Sequence, residues 1–212
     1  MKITLQNVGK RFNREWIFKN ISFIFQDAKF YAITGPNGCG KSTLLQMLAA
    51  SLTANEGAML FLNADRELLA EEIYKHIAFA APYLELIEEM TALEFLHFHS
   101  TFKPLIKSIS AKEILSAVSL ENAAHKQIRD HSSGMKQRLN LAQAVFSDVP
   151  VLLLDEPCTN FDEAGYKLYY RLIDVYCKNR LVIISSNDER EYTFCEERLH
   201  IPDYKKILSQ IV

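Results

Sequence analysis

The chain has no surplus of charge of either sign. Its 24 Lys and Arg against 26 Asp and Glu leave a formal net charge of −2. The basic field that marks a nucleic-acid-binding domain is therefore missing, and no nucleic acid is expected as a partner. Cysteine is scarce: Cys39, Cys158, Cys177 and Cys195 contain no CxxC pair and no zinc-ligand spacing. This excludes a disulfide framework and reads as reduced thiols in a cytosolic protein. No apolar run approaches the ~18 residues of a membrane span, and the N-terminal stretch lacks the apolar core of a signal peptide. Any membrane role must then come through a partner. There is no internal repeat and no low-complexity linker. What remains is a chain of 212 residues, 49% hydrophobic, long enough for one sizeable core with a smaller lobe attached.

Periodicity divides the chain. Residues 2–8 and 21–25 alternate apolar and polar, as half-buried strands do, and 30–34 form a shorter, more buried strand. Further strands are read at 58–62, 76–82, 151–154 and 181–184. From about Leu84 to Val145 the pattern turns helical. Thr91 opens one amphipathic helix, and Ser110 with Glu113 forms a capping box before another. Asp162 begins a helix whose apolar face includes Tyr166, Tyr169, Tyr170 and Ile173. Alternating β and α elements argue for an α/β fold with a mostly parallel sheet and flanking helices. The expected division is one domain over 1–212, with an α/β core at 1–83 and 146–212 and a helical lobe at 84–145. His97 and His99 lie about 200° apart on a helix, so they point away from a shared metal.

Three motifs carry chemistry. The stretch "GPNGCGKST" runs through Gly35, Pro36, Asn37, Gly38, Cys39, Gly40, Lys41, Ser42 and Thr43, between a strand and a helix. It matches the phosphate-cradling loop G-x-x-x-x-G-K-[ST]. Glycines let the backbone curl so that N–H groups point inward, and the helix N-terminus adds positive character. Lys41 can reach the β- and γ-phosphates, and Ser42 can bind Mg²⁺. "VLLLDEP" places Asp155 and Glu156 at the end of a buried strand. Asp155 suits magnesium held through water, and Glu156 can orient or deprotonate an attacking water. Together they indicate a P-loop nucleoside triphosphatase that uses ATP and Mg²⁺.

The third motif, "HSSGMKQRLNLAQA", resembles the signature of the ATP-binding cassette (ABC) family, usually Leu-Ser-Gly-Gly-Gln followed by x-Gln-Arg. Ser132, Ser133 and Gly134 fill the Ser-Gly-Gly positions, Met135 stands for Gln, and Gln137 and Arg138 match. The resemblance covers nearly the whole chain. It implies an N-terminal antiparallel β part, an inserted helical lobe and a head-to-tail dimer, identical or mixed. In that dimer Ser132 and Gly134 would face the γ-phosphate held by the other subunit, and Asp162 would sit at the subunit boundary. It places Phe12 against adenine, with Trp16 as the fallback. It implies an ATPase subunit, cytoplasmic and peripheral on the inner face of the cell membrane, driving transport through separate permease subunits. The short stretch after Asn187 is similar to compact export-type subunits, including those linked to cytochrome maturation.

The pattern is broken in places. Pro82 stands where the family usually has glutamine, and Glu85, three residues on, is the candidate substitute oxygen ligand. Met135 departs from the signature. Asn187, at the mouth of the 181–184 strand, stands where the family has a histidine that contacts the γ-phosphate and holds the attacking water. Asparagine donates from its amide but cannot become cationic. Slow hydrolysis, or a nucleotide-controlled binding switch, is therefore an alternative, as is a family member without a transport role. Cys39 reads either as a small residue tolerated in the loop or as a thiol sensitised by the helix N-terminus.

Overall fold

A computed structural model describes residues 1–64 and 66–205. Two sheets organise them. β1 (Lys2–Phe12), β2 (Glu15–Phe25), β4 (Glu56–Asn63) and β5 (Arg66–Glu67) form an antiparallel sheet in the order β2-β1-β4-β5. β6 (Ile77–Ala80), β7 (Val151–Asp155), β8 (Leu181–Ser185), β3 (Phe30–Thr34) and β9 (Glu197–His200) form the second, in the order β6-β7-β8-β3-β9. Every pairing in the second sheet is parallel.

β1 and β2 are longer than alternation suggests. Register shifts lie between Leu5 and Val8 and again at Lys10, and Asn7 and Asn20 take positive φ. Each irregularity resets which side chains face the core, so one continuous strand looks like two fragments. β9 was not expected at all. It pairs with β3 at the sheet edge, and only Leu199 of its four residues is buried. A short edge strand with charged side chains lacks the apolar run of a central strand.

The helices follow their caps. α1 spans Lys41–Leu48, α2 Ala70–Ile73, α3 Ala92–Phe102, α4 Ala111–Ala117, α5 Ser133–Val145 and α6 Glu163–Tyr176. Thr91 Oγ1 accepts from Glu94 N at 3.2 Å while Glu94 Oε2 accepts from Thr91 N at 2.8 Å, a reciprocal cap for α3. Ser110 and Glu113 cap α4 in the same way.

β7 and β8 are buried on both faces, so successive residues serve two cores. Leu152, Leu154, Val182 and Ile184 pack with Leu139, Ala142 and Phe146 near α5, and with Leu96, Ile114 and Tyr169. Leu153 and Ile183 pack on the opposite face with Leu44 and Leu48 of α1 and with Ile3 and Leu5 of the antiparallel sheet. The lobe is also pinned by polar bonds. Asn140 Nδ2 donates to Ala81 O at 2.7 Å, and Gln143 Nε2 donates to Phe79 O at 3.0 Å. These hold α5 against the end of β6, beside the motifs.

Candidate functional site

The phosphate-loop motif occupies the turn from β3 into α1. Gly40 takes φ 113° and precedes the first helical residue, Lys41. A Cβ at Gly40 would lie 2.3 Å from Ile17 Cγ2, so a side chain is excluded both by backbone conformation and by space. Lys41 is buried. Its Nζ donates to Gly35 O at 3.0 Å and Pro36 O at 3.4 Å, so the ammonium is held inside the curl of the loop. A cavity of about 230 Å³ opens above it, lined by Ile17, Asn37, Gly38, Gly40, Lys41, Ser42, Thr43 and Glu156. Gly35, Pro36 and Cys39 form the back of the loop and do not line that space. Phe12 lies outside the lining as well, 47% exposed at the end of β1 with the Lys10 ammonium 5.1 Å from its ring. Trp16 is flanked by Lys19 and Arg11, at 4.0 and 5.5 Å from its ring. Ile17 is the side chain that sequence reasoning missed. It belongs to a strand whose bulged partner hid which residues face the loop.

β7 and β8 deliver the carboxylates and the amide. Asp155 is 2% exposed, and its Oδ1 has no hydrogen-bond partner. A buried carboxylate oxygen left free is costly unless a cation or its water fills the place. Together with Ser42 at the start of α1, it fits Mg²⁺ bound beside a nucleotide. Glu156 takes φ 43°, left-handed for a non-glycine residue, and lines the cavity. Its own N–H is fixed to Ser185 O at 2.8 Å, so the strained turn is held by the neighbouring strand. Asn187 is exposed at the end of β8, and its Nδ2 donates to Asn37 Oδ1 at 2.9 Å. That bond ties β8 to the phosphate loop across the cavity mouth.

A residue absent from the sequence reading stands beside Asp155. Tyr83 O–H donates to Asp155 Oδ2 at 3.1 Å and accepts from Gln46 Nε2 at 3.3 Å. Burial of the hydroxyl pushes its pKa up to about 12, so it stays a donor at neutral pH. Glu85 is exposed and lines a different groove with Pro82, Ser133, Lys136 and Asn160. The structure therefore brings Tyr83, not Glu85, to the carboxylate.

The signature lies elsewhere on the surface. Ser132 caps α5, accepting from Met135 N at 3.3 Å. Ser132 and Gly134 line a concavity of about 310 Å³ with Met135, Arg138, Asn160, Phe161 and Asp162. Asp162 caps α6 through a 2.8 Å bond from Gly165 N. Ser133 faces the neighbouring groove instead. Gln137 Nε2 donates to Pro157 O at 2.9 Å, linking the signature helix to the loop after Glu156. No residue of the phosphate loop lines this concavity. His97 is exposed, while His99 Nε2 lies 3.0 Å from Ser147 Oγ and burial holds its pKa down to about 4.

A phosphate loop between a parallel strand and its helix, an acidic pair at the end of β7 in the same sheet and a separate capped signature helix define a nucleotide-binding cassette. The family model described as ABC transporter matches residues 18–159, and the chain belongs to that family. It is 37% identical over 169 residues to the uncharacterized ABC transporter ATP-binding protein YxlF of Bacillus subtilis, covering 77% of this chain and 55% of that one. The chain thus spans little more than half of YxlF. It is 30% identical over 210 residues to the Nod factor export ATP-binding protein I of Burkholderia lata, covering 97% of this chain and 69% of that one. Its fold matches the dimeric cassette MJ0796 in a post-hydrolysis state bound to ADP and Pi, with a TM-score of 0.80 and 26% identity over 93% of each chain.

Proposed function

We propose that the chain is the ATP-hydrolysing subunit of an ABC transporter, active as a head-to-tail dimer. One observation carries this reading: the phosphate cavity and the signature concavity are separate surfaces of one chain. Each is half of a nucleotide site, so a complete site needs two copies or a closely similar partner. The dimeric MJ0796 cassette supports that arrangement.

Within one site the residues divide the work. Backbone N–H groups of 37–43 and the α1 N-terminus bind the phosphates, and Lys41 turns its ammonium from Gly35 O and Pro36 O toward them. Bound Mg²⁺ would offset phosphate charge, with Ser42 and Asp155 holding it. Glu156, fixed by its strained turn, accepts a proton from the attacking water. Asn187 donates to the γ-phosphate region from where it now meets Asn37. Ser132, Gly134 and Asp162 of the opposite subunit close the site from the far side. Ile17, in the cavity lining, and Phe12, outside it at the end of β1, are the apolar side chains offered to adenine.

No helix among the described residues is long and apolar enough to cross a membrane, and transport in this reading runs through separate permease subunits. A groove of about 290 Å³ exposes Tyr74, Tyr83 and Leu84 over Phe79 and Ile77, with Lys103 at its edge. It suits an apolar helix end of a permease, which supports reading this subunit as docked on the cytoplasmic side.

Steady-state phosphate release tests the enzyme. Wild-type chain is expected to release phosphate from Mg-ATP, and Glu156→Gln to abolish release while keeping ATP bound. ATP binding with no turnover in the wild type, alone or with its permease, would establish the binding switch that Pro82 and Asn187 suggest.

A further inference from the structure

Pro82 is exposed just after β6 and lines the groove that also holds Glu85 and Ser133. The next residue is the one that reaches the buried carboxylate. The Tyr83 ring stands in the apolar groove beside Tyr74, Phe79 and Leu84, 6.4 Å from Phe79 between ring centroids. Its hydroxyl reaches inward to Asp155 Oδ2 at 3.1 Å. Gln46 Nε2, on the exposed side of α1, donates to the same hydroxyl at 3.3 Å. The donors run in one direction, from amide to phenol to carboxylate, and each bond polarises the next.

An ionised carboxylate can only accept. With Oδ2 engaged by the phenol, the carboxylate plane is fixed and Oδ1, buried and without a partner, is the oxygen left for the metal or its water. Partners of this kind orient a ligand without touching the ion, and their loss typically weakens metal binding about 10–100-fold. We propose that Tyr83 is the positioning residue of the magnesium carboxylate, acting through its hydroxyl on Asp155 Oδ2. The proposal rests on the Mg-nucleotide reading of Asp155. Its particular content is the hydroxyl, which a phenylalanine lacks.

The test is Tyr83→Phe in the full chain, with Mn²⁺ in place of Mg²⁺. Electron paramagnetic resonance titration in the presence of ADP reads metal affinity, and binding of a fluorescent ADP analogue without metal reads the phosphate loop alone. Tyr83→Phe is expected to weaken Mn²⁺ binding about tenfold and leave metal-free ADP affinity within about twofold. Gln46→Leu should move Mn²⁺ affinity in the same direction by a smaller factor, because the phenol remains. Unchanged or tighter Mn²⁺ binding in Tyr83→Phe overturns the proposal. An equal loss of metal-free ADP binding also overturns it, since the residue would then be supporting the loop as a whole. A wild-type chain that holds no Mn²⁺ with ADP would overturn the Mg-nucleotide reading itself.

Discussion

Glu191→Gln removes a charge that the fold holds against its preference. Glu191 lies in a short 3-10 helix after β8 and is 3% exposed. Its Oε1 accepts from Cys158 N at 2.9 Å, while Oε2 has no partner. Burial, reinforced by the nearby Asp188 and Glu156 carboxylates, raises its pKa from 4.5 to about 7. The folded state therefore binds this proton more tightly than the unfolded chain does. The resulting stabilisation is complete below about pH 4.5 and is lost as pH rises through about 7. At about 1.36 kcal/mol per pH unit, that loss amounts to ~2–3 kcal/mol between pH 5 and 8. Glutamine keeps an acceptor for Cys158 N and has no proton to lose. For a chain of this size ~2–3 kcal/mol is worth about 5–10 °C in Tm. Thermal melts without nucleotide, at pH 5 and pH 8, measure the difference directly. The variant should gain about 5–10 °C on the wild type as pH goes from 5 to 8. A Tm difference that is the same at both pH values, or that shrinks, would refute the reasoning.

Two further substitutions probe the cavity. Asn187→His replaces a neutral donor, now 2.9 Å from Asn37 Oδ1, by one that can carry charge. A charge-assisted bond gains ~1 kcal/mol over a neutral one, so phosphate release should rise about fivefold while ATP affinity moves less than about threefold. An unchanged or lower rate would show that asparagine is suited to this site. Gly40→Ala forces a side chain onto φ 113° and into contact with Ile17 Cγ2 at 2.3 Å. Denaturant unfolding should show a loss of ~2–4 kcal/mol, and nucleotide affinity should fall with it. Stability within ~0.5 kcal/mol of wild type would contradict the fit described for the loop.

The placement of the motifs on the fold was legible in the sequence because it depends on local spacing. A phosphate loop needs its glycines, Lys41 and Ser42 within a few residues, and the strand end that carries Asp155 and Glu156 is an unbroken apolar run. The capping box at Ser110 and the helix start at Thr91 were legible for the same reason. What escaped depends on contacts between distant residues. Tyr83 meets Asp155 across 72 positions, and nothing in "APYLEL" marks its hydroxyl as inward-facing. Ile17 enters the cavity because of bulges whose register no alternation rule recovers. Gln137 matched a motif, yet its bond to Pro157 O shows what the side chain holds in place. β9, with two charged residues in four, reads as a strand only once β3 lies beside it.

Trans completion of the nucleotide site is the central claim, and mixing two crippled chains tests it most directly. Both carry Glu156→Gln to prevent turnover. One also carries Lys41→Ala, which damages the phosphate cavity, and the other Gly134→Asp, which damages the signature concavity. With ATP, Glu156→Gln alone should sediment as a dimer and each double variant as a monomer. The mixture should form a heterodimer, because one intact phosphate loop then meets one intact signature. A mixture that stays monomeric while Glu156→Gln alone dimerises would contradict the account.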